Sequence, residues 1–184
     1  LENKSKKGTK INTKQYKKIT LEKDLDKLIK DLNTKGIISV DTETSSLNPQ
    51  EAELIGISVS YAPNKSFYIP VGHKKNKCLS KDLVIKKMKP ILEDPSIKKV
   101  GQNIKYDYII FKKSGVELTS IEDTMLLSYT LDAGNNRHNM DTLSELHLGH
   151  KTISYKDLVG TGKKQLKFSE VDLDKATEYA AEDA

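Results

Sequence analysis

Three segments of this 184-residue chain hold residue types that could do chemistry together: Asp41-Thr42-Glu43, Asn103-Ile104-Lys105-Tyr106-Asp107 and Tyr179-Ala180-Ala181-Glu182-Asp183. In order, they offer Asp41, Glu43, Asp107, Tyr179 and Asp183. Hydrolysis of a phosphodiester by two divalent cations about 4 Å apart calls for such a set: oxygen ligands that hold both ions and leave room for a phosphate and a water. Asp41 and Glu43 are two residues apart, so in extended chain they point to one face. Tyr179 and Asp183 stand four apart, neighbours on one face of a helix. Asn103 suits a helix N-cap, with Asp107 one turn in. Each motif alone has an ordinary reading as a solvated strand end, a cap with a surface acid, or a tyrosine over an exposed acid. The chain has one Asp-x-Glu, one Asn with Asp four residues on, and one Tyr with Asp four residues on. The signal is their occurrence together, each near the expected boundary of an element.

Several carboxylates at one point repel one another and stay ionised mainly when divalent cations neutralise them. One ion would activate a water and the other would stabilise the leaving 3′ oxygen. A tyrosine, with a reference pKa of about 10, would orient that water rather than deprotonate it outright.

These residues need elements to position them. Leu21, Leu25, Leu28 and Leu32 share one face of a helix expected over 21–33, capped by Thr20. A buried β-branched strand over 37–40 should end at Asp41. Ile55, Ile57, Val59 and Tyr61 alternate with Gly56, Ser58 and Ser60 as in a strand. Pro63-Asn64 marks a turn before a strand at 67–69, which completes an antiparallel meander. A helix capped by Ser80 should run over 81–89 and break near Pro90. There follow a strand at 97–100, a helix at 104–113, a strand near 119–121, a helix through 125–129, a loop at 132–139 and a short helix at 141–148. A basic loop at 160–167 precedes a last helix that starts near Asp172 and is still running at Ala184, the pattern of a fragment of a larger protein. Three strands followed by alternating helices and strands imply an α/β domain with a mixed β-sheet flanked by helices.

Apolar residues are 36% of the chain and charged residues 31%, but the apolar ones fall in runs, so a core can form in one domain. Of 31 basic and 26 acidic residues, seven and one fall within 1–18, which leaves 24 and 25 in the rest. Residues 1–18 therefore read as a basic, weakly ordered tail and 19–184 as the domain. Such a tail can bind nucleic acid electrostatically or serve as a solvated linker. Cys78 is the single cysteine, which excludes an intrachain disulfide. It lies between Lys77 and Leu79 without a nearby base, as an incidental thiol would. No run of about 18 apolar residues suggests a membrane span.

The chain resembles the 3′–5′ proofreading exonuclease domain of the bacterial DNA polymerase I family (family A), within the DEDD superfamily of RNase H-like fold. The resemblance rests on the segments at 40–44, 100–107, 138–143, 148–153 and 179–184, among them Val40-Asp41-Thr42-Glu43-Thr44, His138-Asn139-Met140-Asp141-Thr142-Leu143 and Leu148-Gly149-His150-Lys151-Thr152-Ile153. It implies an RNase H-like mixed sheet, with Asp41, Glu43, Asp107 and Asp183 as ligands of two divalent ions, Mg²⁺ with Mn²⁺ able to substitute. Tyr179 would position the water and Glu43 would also meet the terminal 3′-OH. Thr42, Leu47, Gln102, Asn103, Tyr106, Arg137 and Tyr155 would contact the substrate strand, Leu47 as a wedge against the terminal base. The implied partners are a single-stranded or frayed 3′ end of DNA and the polymerase module of the same parent chain, in a monomer in the bacterial cytoplasm near the nucleoid.

An RNA-trimming exonuclease of the ribonuclease D kind shares the acids and the tyrosine; the 138–153 segment favours polymerase I. A catalytically silent spacer domain is the other alternative, and the intact acids speak against it. A zinc site from His147 and His150 has too few ligands.

Overall fold

The computed structural model describes residues 11–184. Most of the expected basic tail lies outside the described residues, but its end does not: Lys17–Lys18 form a short strand, β1. After it come α1 (Glu22–Leu32), β2 (Ile37–Thr44), β3 (Leu54–Ala62), β4 (Lys65–Pro70), α2 (Lys81–Leu92), β5 (Lys98–Gly101) and α3 (Lys105–Lys113). The rest comprises β6 (Ile121–Asp123), α4 (Thr124–Asp132), α5 (Met140–Leu148), α6 (Tyr155–Val159) and α7 (Leu173–Asp183). The strands form one mixed sheet in the order β1-β4-β3-β2-β5-β6. β2, β3 and β4 are the expected antiparallel meander, and β5 and β6 add to β2 in parallel.

Alternating side chains send the strands' apolar residues to two cores. Ile38 and Val40 of β2, Ile57 and Val59 of β3 and Ile69 of β4 pack with Leu25, Leu28 and Leu32 of α1, with α2, and with Ile110 and Phe111 of α3. Tyr68, one residue from Ile69, faces the other way, against Phe168, Val171, Leu173, Ala176 and Ala180 around α7. Helices thus cover both faces of the sheet. Among the described residues, no helix is long and apolar enough to cross a membrane.

Several local expectations are corrected. Leu21, extended, stands at the N-cap of α1 without a side-chain bond, and Thr20 does not cap it. Glu22 and Asp24 in the first turn complement its exposed N–H groups instead. Pro90 does not end α2. It lies in the last turn with exposed Lys86 one turn earlier, so the carbonyl it cannot serve reaches water, and buried Ile91 and Leu92 hold the helix down. Ile55 does not share the face of Ile57 and Val59. A bulge at the β2–β3 register shift makes it the extra residue and turns it into the second core. β2 runs on to Thr44, past the expected end at Asp41, because β3 pairs with it through Glu43↔Gly56 and Thr44↔Leu54.

Candidate active site

Asp41 and Glu43 lie on one face of β2, in the middle of the sheet, and that face is turned toward α7. α7 is anchored at its start by Asp172, whose Oδ1 accepts from the N–H groups of Asp174 and Lys175 at 3.1 and 3.2 Å. Ala176 and Ala180, fully buried, let it lie close to the sheet. One turn beyond Tyr179, Asp183 then meets the strand acids. Asp41, Glu43 and Asp183 each offer a carboxylate oxygen, all within 4.8 Å of one another.

Asp107 approaches from the opposite side of β2. It sits in the first turn of α3, where its Oδ1 accepts from Thr42 Oγ1 at 2.5 Å. Its neighbour Tyr106 donates to the Ser46 carbonyl at 2.5 Å and lies 2.5 Å from Thr44 Oγ1, so the start of α3 is clamped to the end of β2. Asn103 is not the expected N-cap, a position taken by Ile104. Asn103 adopts a left-handed backbone, φ 55°, which asparagine tolerates better than most residues. Its N–H donates to Asp123 Oδ1 at 3.0 Å, and its carbonyl accepts from Tyr106 N–H at 3.0 Å.

A cleft of about 750 Å³ opens over this edge, lined by Asp41, Glu43, Asn103, Asp107, Tyr155 and Tyr179 among others. Leu47 stands at its rim with 97% of its surface exposed, an apolar side chain with nothing to cover it. The Tyr155 ring meets Tyr179 edge-on at 6.1 Å. Gln102 lines the cleft, yet its amide is engaged within the protein. It donates to the His138 carbonyl at 2.6 Å and accepts from Thr124 Oγ1 at 2.6 Å. Arg137, beside His138 on the loop between α4 and α5, is exposed and does not line the cleft.

The electrostatics are those of buried like charges that could hold a cation. Burial pushes the Asp41 carboxyl up to about 6. Glu43 is raised well above its ordinary value by burial, then by Asp41, Asp183 and Asp107. Asp107 and Asp183 are raised by burial and next by Asp41, which is thus the neighbour common to all the other acids. Burial, then Asp183, Glu43 and Asp41, push the Tyr179 hydroxyl far up, so it stays protonated. Hard oxygen donors without Cys or His suit Mg²⁺, Mn²⁺ or Ca²⁺ rather than zinc.

Behind the acids lies an aromatic wall that sequence reasoning missed. Tyr68 Oη and His73 Nε2 are 2.8 Å apart, and Phe168 packs against Tyr68, His73 and Tyr179 with centroids 5.7–6.4 Å apart. Burial lowers the His73 pKa. Gly56 makes room for this wall: a Cβ there would stand 2.2 Å from the Tyr68 hydroxyl. A lone glycine inside a strand was the available signal. Thr44, Ser46 and Gln165 also line the cleft without having been singled out.

The 3′–5′ exonuclease family model of DNA polymerase A matches residues 16–184. DNA polymerase I of Rhizobium leguminosarum is 44% identical over 181 residues, 87% of this chain and 18% of that protein. DNA polymerase I of Borreliella burgdorferi is 39% identical over 172 residues, 92% of this chain and again 18% of the relative, so the chain spans about a fifth of their length. Among solved structures, the EXO domain of Aedes aegypti Nibbler superposes with a TM-score of 0.70 at 15% identity, covering 96% of this chain and 85% of that one. Escherichia coli RNase D does so with 0.67 at 21% identity, covering 92% and 41%. At such identities these two likenesses speak for the shared RNase H-like fold. The match over nearly the whole chain and the 44% identity to a polymerase I place the protein in a family: it belongs to the 3′–5′ exonucleases of DNA polymerase A.

Proposed function

We propose that the chain is the proofreading unit of a DNA polymerase I, removing the 3′-terminal nucleotide of a single-stranded or frayed DNA end as a nucleoside 5′-monophosphate. The observation that carries this reading is the convergence of Asp41, Glu43 and Asp183 within 4.8 Å beside protonated Tyr179. Two divalent ions fit the donor set. Asp41, Glu43 and Asp183 would hold one, and Asp41 with Asp107 the other, since Asp41 is the acid near all the rest. Bound there, the ions supply an activated water and charge stabilisation of the leaving 3′ oxygen.

The chain's own residues supply the geometry. Tyr179, kept neutral by burial and by the acids, holds the attacking water through its hydroxyl and does not take its proton. Glu43, buried between the strand and α7, is placed to accept from the terminal 3′-OH. Leu47, fully exposed at the rim, has apolar surface to lay against the last base, and Tyr155 offers a ring face to the strand. Thr42 holds the Asp107 carboxylate in place.

Incubating the protein with 5′-labelled single-stranded DNA tests this. Products should shorten from the 3′ end with Mg²⁺ or Mn²⁺ and cease with chelator. Shortening from the 5′ end, or indifference to chelator, contradicts it. The likeness to E. coli RNase D, an exoribonuclease involved in structured RNA processing, supports a second reading as an RNA-trimming enzyme. The same assay on RNA of identical sequence separates the two.

A further inference from the structure

We infer that Glu182 is a positioning residue: it straps the segment that carries Tyr155 to the helix that carries Tyr179 and Asp183. The assignment rests on the reading of the cleft as the place where the 3′ end is held.

Glu182 is not one of the converging acids, and its side chain is only 4% exposed. Both of its oxygens are used. His150 Nε2 donates to Oε1 at 2.7 Å, and the backbone N–H of Ile153 donates to Oε2 at 2.6 Å. A negative charge one residue from Asp183 adds to the repulsion among the acids, and an apolar side chain would fill the space without that cost. What the carboxylate adds is a pair of directed, charge-assisted bonds to one short segment.

That segment has a second anchor. Gly149, left-handed, ends α5. Ser144 Oγ donates to the His150 carbonyl at 2.9 Å, and Thr152 Oγ1 donates to Asp141 at 2.6 Å. Residues 150–153 are therefore strung between α5 and α7. Two residues past Ile153 stands Tyr155, at the start of α6, its ring edge-on to Tyr179. Two residues span at most about 7 Å, so a shift at Ile153 reaches the ring almost undiminished. Without Glu182 the α5 anchor remains and the fold survives, but the distance between Tyr155 and the reacting end of the strand is no longer set.

The test compares Glu182→Ala, Glu182→Gln, Tyr155→Ala and the double Glu182→Ala/Tyr155→Ala in steady-state digestion of 5′-labelled single-stranded DNA. Hydrogen exchange of the 150–155 amides is measured alongside. Glu182→Ala loses both charge-assisted bonds, and the freed segment should raise KM by roughly tenfold or more, with kcat within about threefold of wild type. Glu182→Gln should recover most of it: its amide oxygen accepts from the Ile153 N–H, and its NH2 donates to His150 Nε2 once the imidazole carries its proton on Nδ1. The double variant should match Tyr155→Ala, because a residue that acts through Tyr155 has nothing left to position. The 150–155 amides should exchange faster in Glu182→Ala and as in wild type in Glu182→Gln. Should Glu182→Ala fail to fold, His150→Ala removes one of the two bonds and should give a smaller rise in KM. A fall in kcat at unchanged KM, full additivity with Tyr155→Ala, or unchanged exchange would overturn the assignment. An inactive wild type would instead count against the reading of the cleft, while the exchange data would still decide the strap.

Discussion

Two clefts of nearly equal size lie on this molecule, and they differ in how their charges are settled. One, of about 750 Å³, opens at the end of β2 over the acids. The other, of about 740 Å³, lies at the far edge of the sheet between α1 and strands β1, β3 and β4. In the far groove charges of both signs are interspersed. Lys17, Lys27 and Lys65 line it together with Asp24 and Asp31, Tyr61 donates to Asp31 at 3.4 Å, and the Lys65 ammonium group lies over the Tyr61 ring. At the end of β2 acid faces acid. Among the described residues, no lysine or arginine forms an ion pair with Asp41, Glu43, Asp107 or Asp183. Volume alone does not mark a site; unrelieved like charge in a buried place does, because it costs stability until a cation arrives.

The largest effect should come from removing a metal ligand. Asp41→Ala or Asp183→Ala should lower the digestion rate on the order of a thousandfold, about 4 kcal/mol of transition-state stabilisation. Wild-type rates in Asp183→Ala under saturating Mn²⁺ would erase the contrast between the clefts. Tyr179→Phe keeps the acids and loses only the water's partner. Its kcat should fall roughly ten- to a hundredfold with KM little changed, as single-turnover kinetics would show.

Stability should depend on pH and metal together. A carboxyl whose folded pKa lies above its unfolded value stabilises the fold at low pH, and that contribution is lost as pH rises through the folded value. For Asp41 the window runs from 3.8 to about 6, and the other three acids, shifted in the same direction, extend it upward. Metal-free protein should therefore melt lower at pH 7.5 than at pH 5, by on the order of 5 °C. Mg²⁺ should restore the loss at pH 7.5 and do little at pH 5. In Asp41→Asn the pH dependence should flatten. Thermal melts with chelator and with Mg²⁺ check this, and a metal-free protein equally stable at both pH values would contradict it. The smallest effect belongs to the far groove: Lys65→Ala should change stability by less than about 0.5 kcal/mol in denaturant melts and leave digestion intact.

Residue types and spacing made the acids legible. The two-residue period of a strand put Asp41 and Glu43 on one face, and the four-residue step of a helix did the same for Tyr179 and Asp183. Backbone events were not legible in this way. Whether β2 stops at Asp41 or runs to Thr44 depends on hydrogen bonds offered by β3, across the loop at 45–53. Asn103 looked like a cap because its side chain suits one, but its left-handed backbone makes its carbonyl the partner of the first turn. The bulge that turns Ile55 to the second core leaves no trace in an alternating pattern. The Tyr68–His73–Phe168 wall joins two distant segments, 68–73 and the turn at Phe168, and the one hint of it was Gly56. Glu182 has no role legible in the sequence, since nothing local connects it to Ile153, 29 residues earlier.

The central claim is that these acids form one site for two divalent ions with Asp41 shared between them. Counting bound Mn²⁺ per chain by calorimetric titration, for wild type and for Asp41→Ala, Asp107→Ala and Asp183→Ala, tests it most directly. The account predicts two ions on wild type, one remaining on Asp107→Ala and on Asp183→Ala, and neither held tightly by Asp41→Ala. Wild-type stoichiometry in Asp41→Ala, or no binding to the wild type at millimolar Mn²⁺, would contradict it.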